Sequence, residues 1–126
     1  MRGVTLKAWR AEHYVGLAEL LRLLEPRVAD FTWEPRLGEV APGPGAERLE
    51  ALGPEQRLTT FEARHLLTLD MQLIDGVLLG YAHSDQTSPT VVLRAVDSTS
   101  WDIESDDEEI LALVRRAWPD ASDIPV

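Results

Sequence analysis

Between Asp97 and Trp118 the chain carries seven carboxylates before its first base, Arg115: Asp97, Asp102, Glu104, Asp106, Asp107, Glu108 and Glu109. Carboxylates in such a run are the raw material of a hard-cation site or of paired acid–base chemistry. Their spacing argues against both. Asp106 to Glu109 are consecutive at a helix start, so they fan around the helix axis and do not converge on one ion. Asp102 and Glu104 share a strand face, but neither calcium-loop spacing nor an interior glycine accompanies them. A helix dipole, which favours negative charge in the first turn, explains the four consecutive acids without any ligand. What capping leaves unexplained is Asp97, Trp101, Asp102 and Glu104, and these four are the candidate partner-binding residues. Alternation with Ile103 turns Trp101 inward against the last helix. Exposed among carboxylates, the same residue would instead be a protein-binding anchor.

The remaining chemistry-bearing residues are scattered. His13, His65 and His83 show no ligand spacing such as HxxH or HxH. Only His83, at a strand end with Asp85 nearby, is placed as site residues often are. Ser84, Ser88, Ser98, Thr99 and Ser100 lie in turns, where hydroxyls serve the backbone. There is no GxSxG elbow, no SxxK, and no lysine after the glycines at 43–45 to make a phosphate loop. The chain contains no cysteine, which excludes disulfides, zinc–thiolate centres and thiol catalysis. No catalytic residue, metal or cofactor is expected.

Net charge is −10, and it is unevenly spread. Residues 1–66 hold 9 Lys/Arg against 10 Asp/Glu, a net of −1, whereas residues 67–126 hold 3 against 12, a net of −9. Such a half disfavours nucleic acid, whose phosphates seek basic patches, and suits either solvation or a basic protein partner. No run approaches the roughly 18 apolar residues of a membrane helix, and the N-terminus lacks a secretory apolar core. A cytoplasmic protein without membrane association is the expectation.

The elements that must carry these residues follow from periodicity. Val4, Leu6 and Ala8 alternate as a short strand. Tyr14, Leu17, Ala18, Leu21 and Leu24 repeat at helical spacing over about 11–24, and Leu20 and Leu23 widen the stripe. That width means packing on two neighbours or a homodimer seam. Pro26 ends or kinks the helix. Phe31 and Trp33 suggest a short strand that Pro35 restricts to an edge. Residues 41–45 read as a loop and 46–52 as a short helix stopped by Gly53-Pro54. Thr59 and Glu62 have capping-box spacing ahead of a helix over 60–67. Leu69, Met71 and Leu73 alternate as a strand, and Asp75-Gly76 predicts a tight hairpin turn into a strand over 77–83. Strands over 90–96 and 101–104 follow, separated by a turn at 97–100. Ser105 with Glu108 predicts a capping box opening a helix that ends at Pro119, with Trp118 in the core.

Together these define a single α+β domain over 1–126: a four-stranded antiparallel meander (about 67–104) packed against N-terminal helices and a C-terminal helix. An antiparallel sheet covered on one face leaves the other available. The functional expectation is a non-catalytic, acidic protein-binding module, of the kind represented by immunity and antitoxin proteins, that neutralises a basic partner through the open face or the 97–109 rim. The competing expectation is a small-ligand binder or enzyme with a pocket between the sheet and the N-terminal helices, drawing on His83, Asp85, Asp70, Asp75, Tyr81 and His65.

Overall fold

A computed structural model of the chain describes residues 1–40, 57–67, 73–83 and 86–124. Val4 and Leu6 lie on an interior strand, β1 (Arg2–Lys7), with Gly3, Thr5 and Lys7 on its other side. A two-stranded hairpin continues from it, β2 (Trp9–Arg10) and β3 (His13–Tyr14). Helix α1 spans Leu17–Val28. Strand β4 (Thr32–Val40), the short β5 (Leu58–Thr59) and helix α2 (Thr60–Leu67) follow. Strands β6 (Leu73–Tyr81), β7 (Val91–Val96) and β8 (Ser100–Ser105) lead into α3 (Glu108–Ala117) and the two-residue β9 (Ser122–Asp123).

The fold is α+β, and its sheet is larger than the expected meander. Among the described residues seven strands lie in the order β5-β4-β6-β7-β8-β1-β9, every neighbouring pair antiparallel. The consecutive run β6-β7-β8 accounts for the C-terminal part of the expected meander. The extra strands come from both ends of the chain. β1 adds to β8 in the register Arg2↔Ser105 to Lys7↔Ser100, β9 then adds to β1, and β4 adds to β6.

Two corrections have clear causes. Asp75-Gly76 is not a hairpin turn. Residues 73–81 form one strand, Asp75 is not among the residues at positive φ, and Gly76 at φ 159° is nearly extended. A tight turn would need left-handed angles at both positions. Instead β4 pairs across this point, Leu37↔Gly76 and Glu39↔Asp75, with register shifts that mark a bulge. The partner strand, more than the local dipeptide, decides the conformation. Pro35 pairs with Leu78 of β6 on one side, and on the other side β5 reaches only Thr32 and Trp33, so among the described residues Pro35 has one open edge for its missing N–H, but the strand itself runs for nine residues. The second correction concerns the last helix. Asp107 is its N-cap, accepting from Glu109 N at 3.0 Å. Ser105 remains in β8, where its hydroxyl donates to Thr90 O at 2.7 Å and accepts from Asp107 N at 3.0 Å. Glu108 is consequently free to face Arg2.

The Thr59–Glu62 capping box forms as expected and in both directions, Thr59 N to Glu62 Oε1 at 3.0 Å and Glu62 N to Thr59 Oγ1 at 3.1 Å. Helix α1 begins later than its apolar period suggested, at Leu17, and passes Pro26 to end at Val28. The expected loop at 41–45 and helix at 46–52 lie outside the described residues, as do Asp70 and Asp85.

All three described helices pack on one side of the sheet. Across that side Val4, Ile103, Leu93 and Leu78 are in register and buried. Leu20, Leu21 and Leu24 of α1 and Ile110, Leu111 and Val114 of α3 cover them, each side chain contributing about 1.5–3 kcal/mol by burial. The wide leucine stripe of α1 is thus spent within the chain. Trp33 lies over Gly80, where an added Cβ would stand 2.6 Å from its ring, so the glycine makes room for the indole. The indole N–H of Trp33 donates to Thr60 Oγ1 at 2.8 Å, and that hydroxyl donates to Val28 O at 2.6 Å. One buried hydroxyl therefore ties β4, α2 and α1 together.

Candidate functional site

The side of the sheet away from the described helices carries a second, buried apolar cluster, Leu79, Tyr81 and Val92 with Val77 packed against it, and the Arg57 guanidinium lies 3.8 Å above the Tyr81 ring. Charged residues surround it. Arg36 pairs with Glu34 at 2.7 Å and Arg94 with Glu104 at 3.1 Å. This face is mixed in sign, although the C-terminal half of the chain that supplies much of it is strongly acidic.

The reason is register. Pairing β1 with β8 brings the start of the chain to the start of α3, where the carboxylates crowd. The Met1 ammonium meets Asp106 at 3.5 Å and Arg2 meets Glu108 at 3.4 Å. Arg27, at the end of α1, donates to Asp107 at 2.8 and 3.1 Å. The hydrogen bond and charge of Asp107 raise the Arg27 pKa further above its ordinary value. Bases from the first half of the chain thus pair with much of the acidic run of the second. Exposed pairs of this kind contribute little stability, about 0–1 kcal/mol each, but they change what the surface presents.

Of the four sequence-derived site residues, Trp101 leaves the surface. It is 0% exposed and donates its indole N–H to Val15 O at 2.7 Å, the inward placement that its phase with Ile103 predicts. Glu104 faces outward but is paired with Arg94. Asp102 lies beside Arg94 on the face away from the helices, and among the described residues no ion pair forms to it. Asp97 is exposed in the turn between β7 and β8, where it and Ser98 take φ of 49° and 58°. That turn is anchored on the start of β6: Asp97 N donates to Asp75 Oδ1 at 3.1 Å and Ser98 N to Ile74 O at 2.9 Å. Asp75, expected to make its own hairpin, instead supports the next one.

The residues considered for a pocket do not assemble. Asp75 and Tyr81 are six positions apart on β6, about 20 Å along a strand. His83 is exposed, its backbone N–H donating to Gln86 Oε1 at 3.1 Å. His65 stacks on Phe61 on α2, ring centroids 6.1 Å apart. Among the described residues no three carboxylates or histidines are placed to share a metal ion, and no helix is long and apolar enough to cross a membrane. A cavity of about 170 Å³ opens at the β1–β9 edge between Arg2, Gly3, Arg115, Asp123 and Ile124. Its arginines are engaged, Arg2 with Glu108 and Arg115 with Asp123.

The hairpin β2–β3 carries the feature that motif reading passed over. Trp9 is 47% exposed and stands opposite Tyr14, ring centroids 5.1 Å apart. The other cross-strand pair reaches the helix side: His13 Nε2 meets Glu19 at 2.7 Å, and Arg10 pairs with Asp120, holding that carboxyl below its ordinary range. Trp9 and Tyr14 share the hairpin's other face, with Tyr14 packed against the main core and Trp9 left half exposed. The sequence signal was present, because Trp9 continues the outward phase of Thr5 and Lys7. The helical period read through Tyr14 masked it.

No family model, curated protein or solved structure matches this chain.

Proposed function

We propose that this protein is a non-catalytic binding module whose partner is a basic protein, in the manner of immunity and antitoxin proteins. The observation carrying this reading is the pair Asp97 and Asp102. Asp97 is exposed in the turn between β7 and β8 and Asp102 lies on the sheet face away from the helices, in a chain of net charge −10, and among the described residues neither carboxylate is taken up by a cation. Charge of this sign draws a basic partner in from a distance and speeds its association. The site of action suggested by the composition is the cytoplasm.

The test is affinity capture with the intact chain as bait at low and at high salt, followed by identification of what is bound. The reading expects a basic protein that is captured at low salt and whose association slows as salt rises, because screening shortens the reach of exposed charges. Retention of a partner with no change in rate or amount across that range would refute charge-led recognition. Asp97→Lys combined with Asp102→Lys should slow association more than dissociation.

A further inference from the structure

Resting on that reading, we propose that the docking surface for the basic partner is the end of the molecule formed by the β2–β3 hairpin and the 97–99 turn, with Trp9 as its anchor. It is not the carboxylate run at the start of α3. The two regions lie at opposite ends of the sheet. β1 runs from Arg2, opposite Ser105, to Lys7, opposite Ser100. The hairpin continues from the Lys7 end, and Ala8 N donates to Thr99 O at 2.9 Å, setting the 97–99 turn against the hairpin base. The start of α3 is at the Arg2 end.

Folding treats the two ends differently. At the Arg2 end, Asp106, Asp107 and Glu108 are taken by Met1, Arg27 and Arg2, which leaves Glu109 as the exposed carboxylate of that helix start without an ion pair among the described residues. At the hairpin end, Glu12 at the tip and Asp97 in the turn are exposed, and among the described residues no cation pairs with either. Between them stands the Trp9–Tyr14 pair. A half-exposed indole at an end that carries exposed Glu12 and Asp97 against the single exposed Lys7 suits an arginine or lysine side chain laid on the ring face with its charge turned to a carboxylate. Tryptophan is also the residue most enriched among energetically dominant interface contacts.

Phe61 is more exposed, at 78%, but lacks the charge. Its neighbour Glu62 is committed to the Thr59 cap and Arg64 to Glu25, and its ring is stacked by His65. Among the described residues, an arginine arriving there would find no open carboxylate.

The experiment uses the full chain labelled for two-dimensional NMR and an oligoarginine peptide as the probe, at low salt. The expected result is saturable binding with the largest shifts at the Trp9 indole N–H, Glu12 and Asp97, while the buried Trp33 and Trp101 indoles stay still. Trp9→Ala should weaken binding about tenfold, the loss expected of a dominant contact, and Glu12→Lys should weaken it more than Glu109→Lys at the other end. Unchanged shifts elsewhere in each variant establish that the fold is retained. Shifts centred on 104–109, or equal losses for Glu12→Lys and Glu109→Lys, overturn the hairpin surface while leaving a basic partner in place. No saturable binding overturns both. A concentration-dependent dimer abolished by Trp9→Ala, seen by light scattering, overturns it in favour of a second copy of this chain.

Discussion

Replacing Thr60 by valine tests the account of how the helices are fastened to the sheet. Valine matches threonine in shape, so the change removes one oxygen and little else. Thr60 is 2% exposed, and its hydroxyl is the acceptor for the indole N–H of Trp33, itself fully buried. Val28 O, the acceptor on the other side, also receives Phe31 N at 3.0 Å, so it keeps a partner when the hydroxyl goes. The longer contact to Phe31 O at 3.2 Å is lost as well, and the main cost falls on the orphaned indole donor, about 1–3 kcal/mol for a buried group left unpaired. Taking the middle of that range, Thr60→Val should cost about 2 kcal/mol. For a domain of this size each kcal/mol lowers Tm by about 4 °C, a fall of about 8 °C. Urea unfolding followed by far-UV circular dichroism measures it, and Thr60→Ser, which keeps the hydroxyl, serves as the control. The decisive comparison is the double-mutant cycle with Trp33→Phe, in which the donor is already gone. Thr60→Val should then cost less than about half as much. An equal cost in both backgrounds, or a loss below about 0.5 kcal/mol in the native one, would refute the bridging role.

The other stability predictions rest on backbone angle and on ionisation. Ala11 sits at φ 59° in the hairpin turn, a left-handed angle that penalises any Cβ, so Ala11→Gly should stabilise the protein by about 1 kcal/mol. The same substitution at Ala112, inside α3, should cost about 1 kcal/mol; chemical denaturation that finds Ala11→Gly destabilising would contradict the turn geometry. Glu62 is held below the ordinary carboxylate range, first by the Thr59 backbone N–H and then by its hydroxyl. A carboxyl depressed in the folded state contributes stability that is complete above its unfolded pKa and is lost as pH falls through the folded value. Glu62→Gln should therefore be less stable than the parent near neutrality, and the gap should narrow below about pH 4, read as urea midpoints across that range. A gap that widens in acid would show the sign to be wrong.

Much of the secondary structure was legible because its determinants are local. The capping box at Thr59–Glu62 closes within one helical turn. The alternation of Trp101 and Ile103 sets which of them faces the core, and Pro119 leaves α3 no way to continue. These outcomes depend on residues a few positions apart, which any reading of the sequence can see. The misreadings share the opposite property. Asp75-Gly76 has the residues of a tight turn, yet β4 pairs across it from more than thirty positions upstream, and ladder hydrogen bonds outweigh a turn preference. Ser105 has the spacing of a cap, yet the open carbonyl of Thr90 holds it in the sheet and passes the cap to Asp107.

Charge shows the same division more plainly. Composition alone determines the net −10, the absence of thiol chemistry, and the concentration of acids in the second half of the chain. Only the tertiary structure decides where that charge is felt. Because β1 is laid against β8, Met1 and Arg2 arrive at the acids that begin α3, and the end of α1 brings Arg27 to Asp107. Glu12 and Asp97, distant in sequence and unremarked by any motif, are left exposed at the hairpin end, with no cation paired to either among the described residues. Ion pairing depends on distance through space, and a sequence orders its residues by distance along the chain.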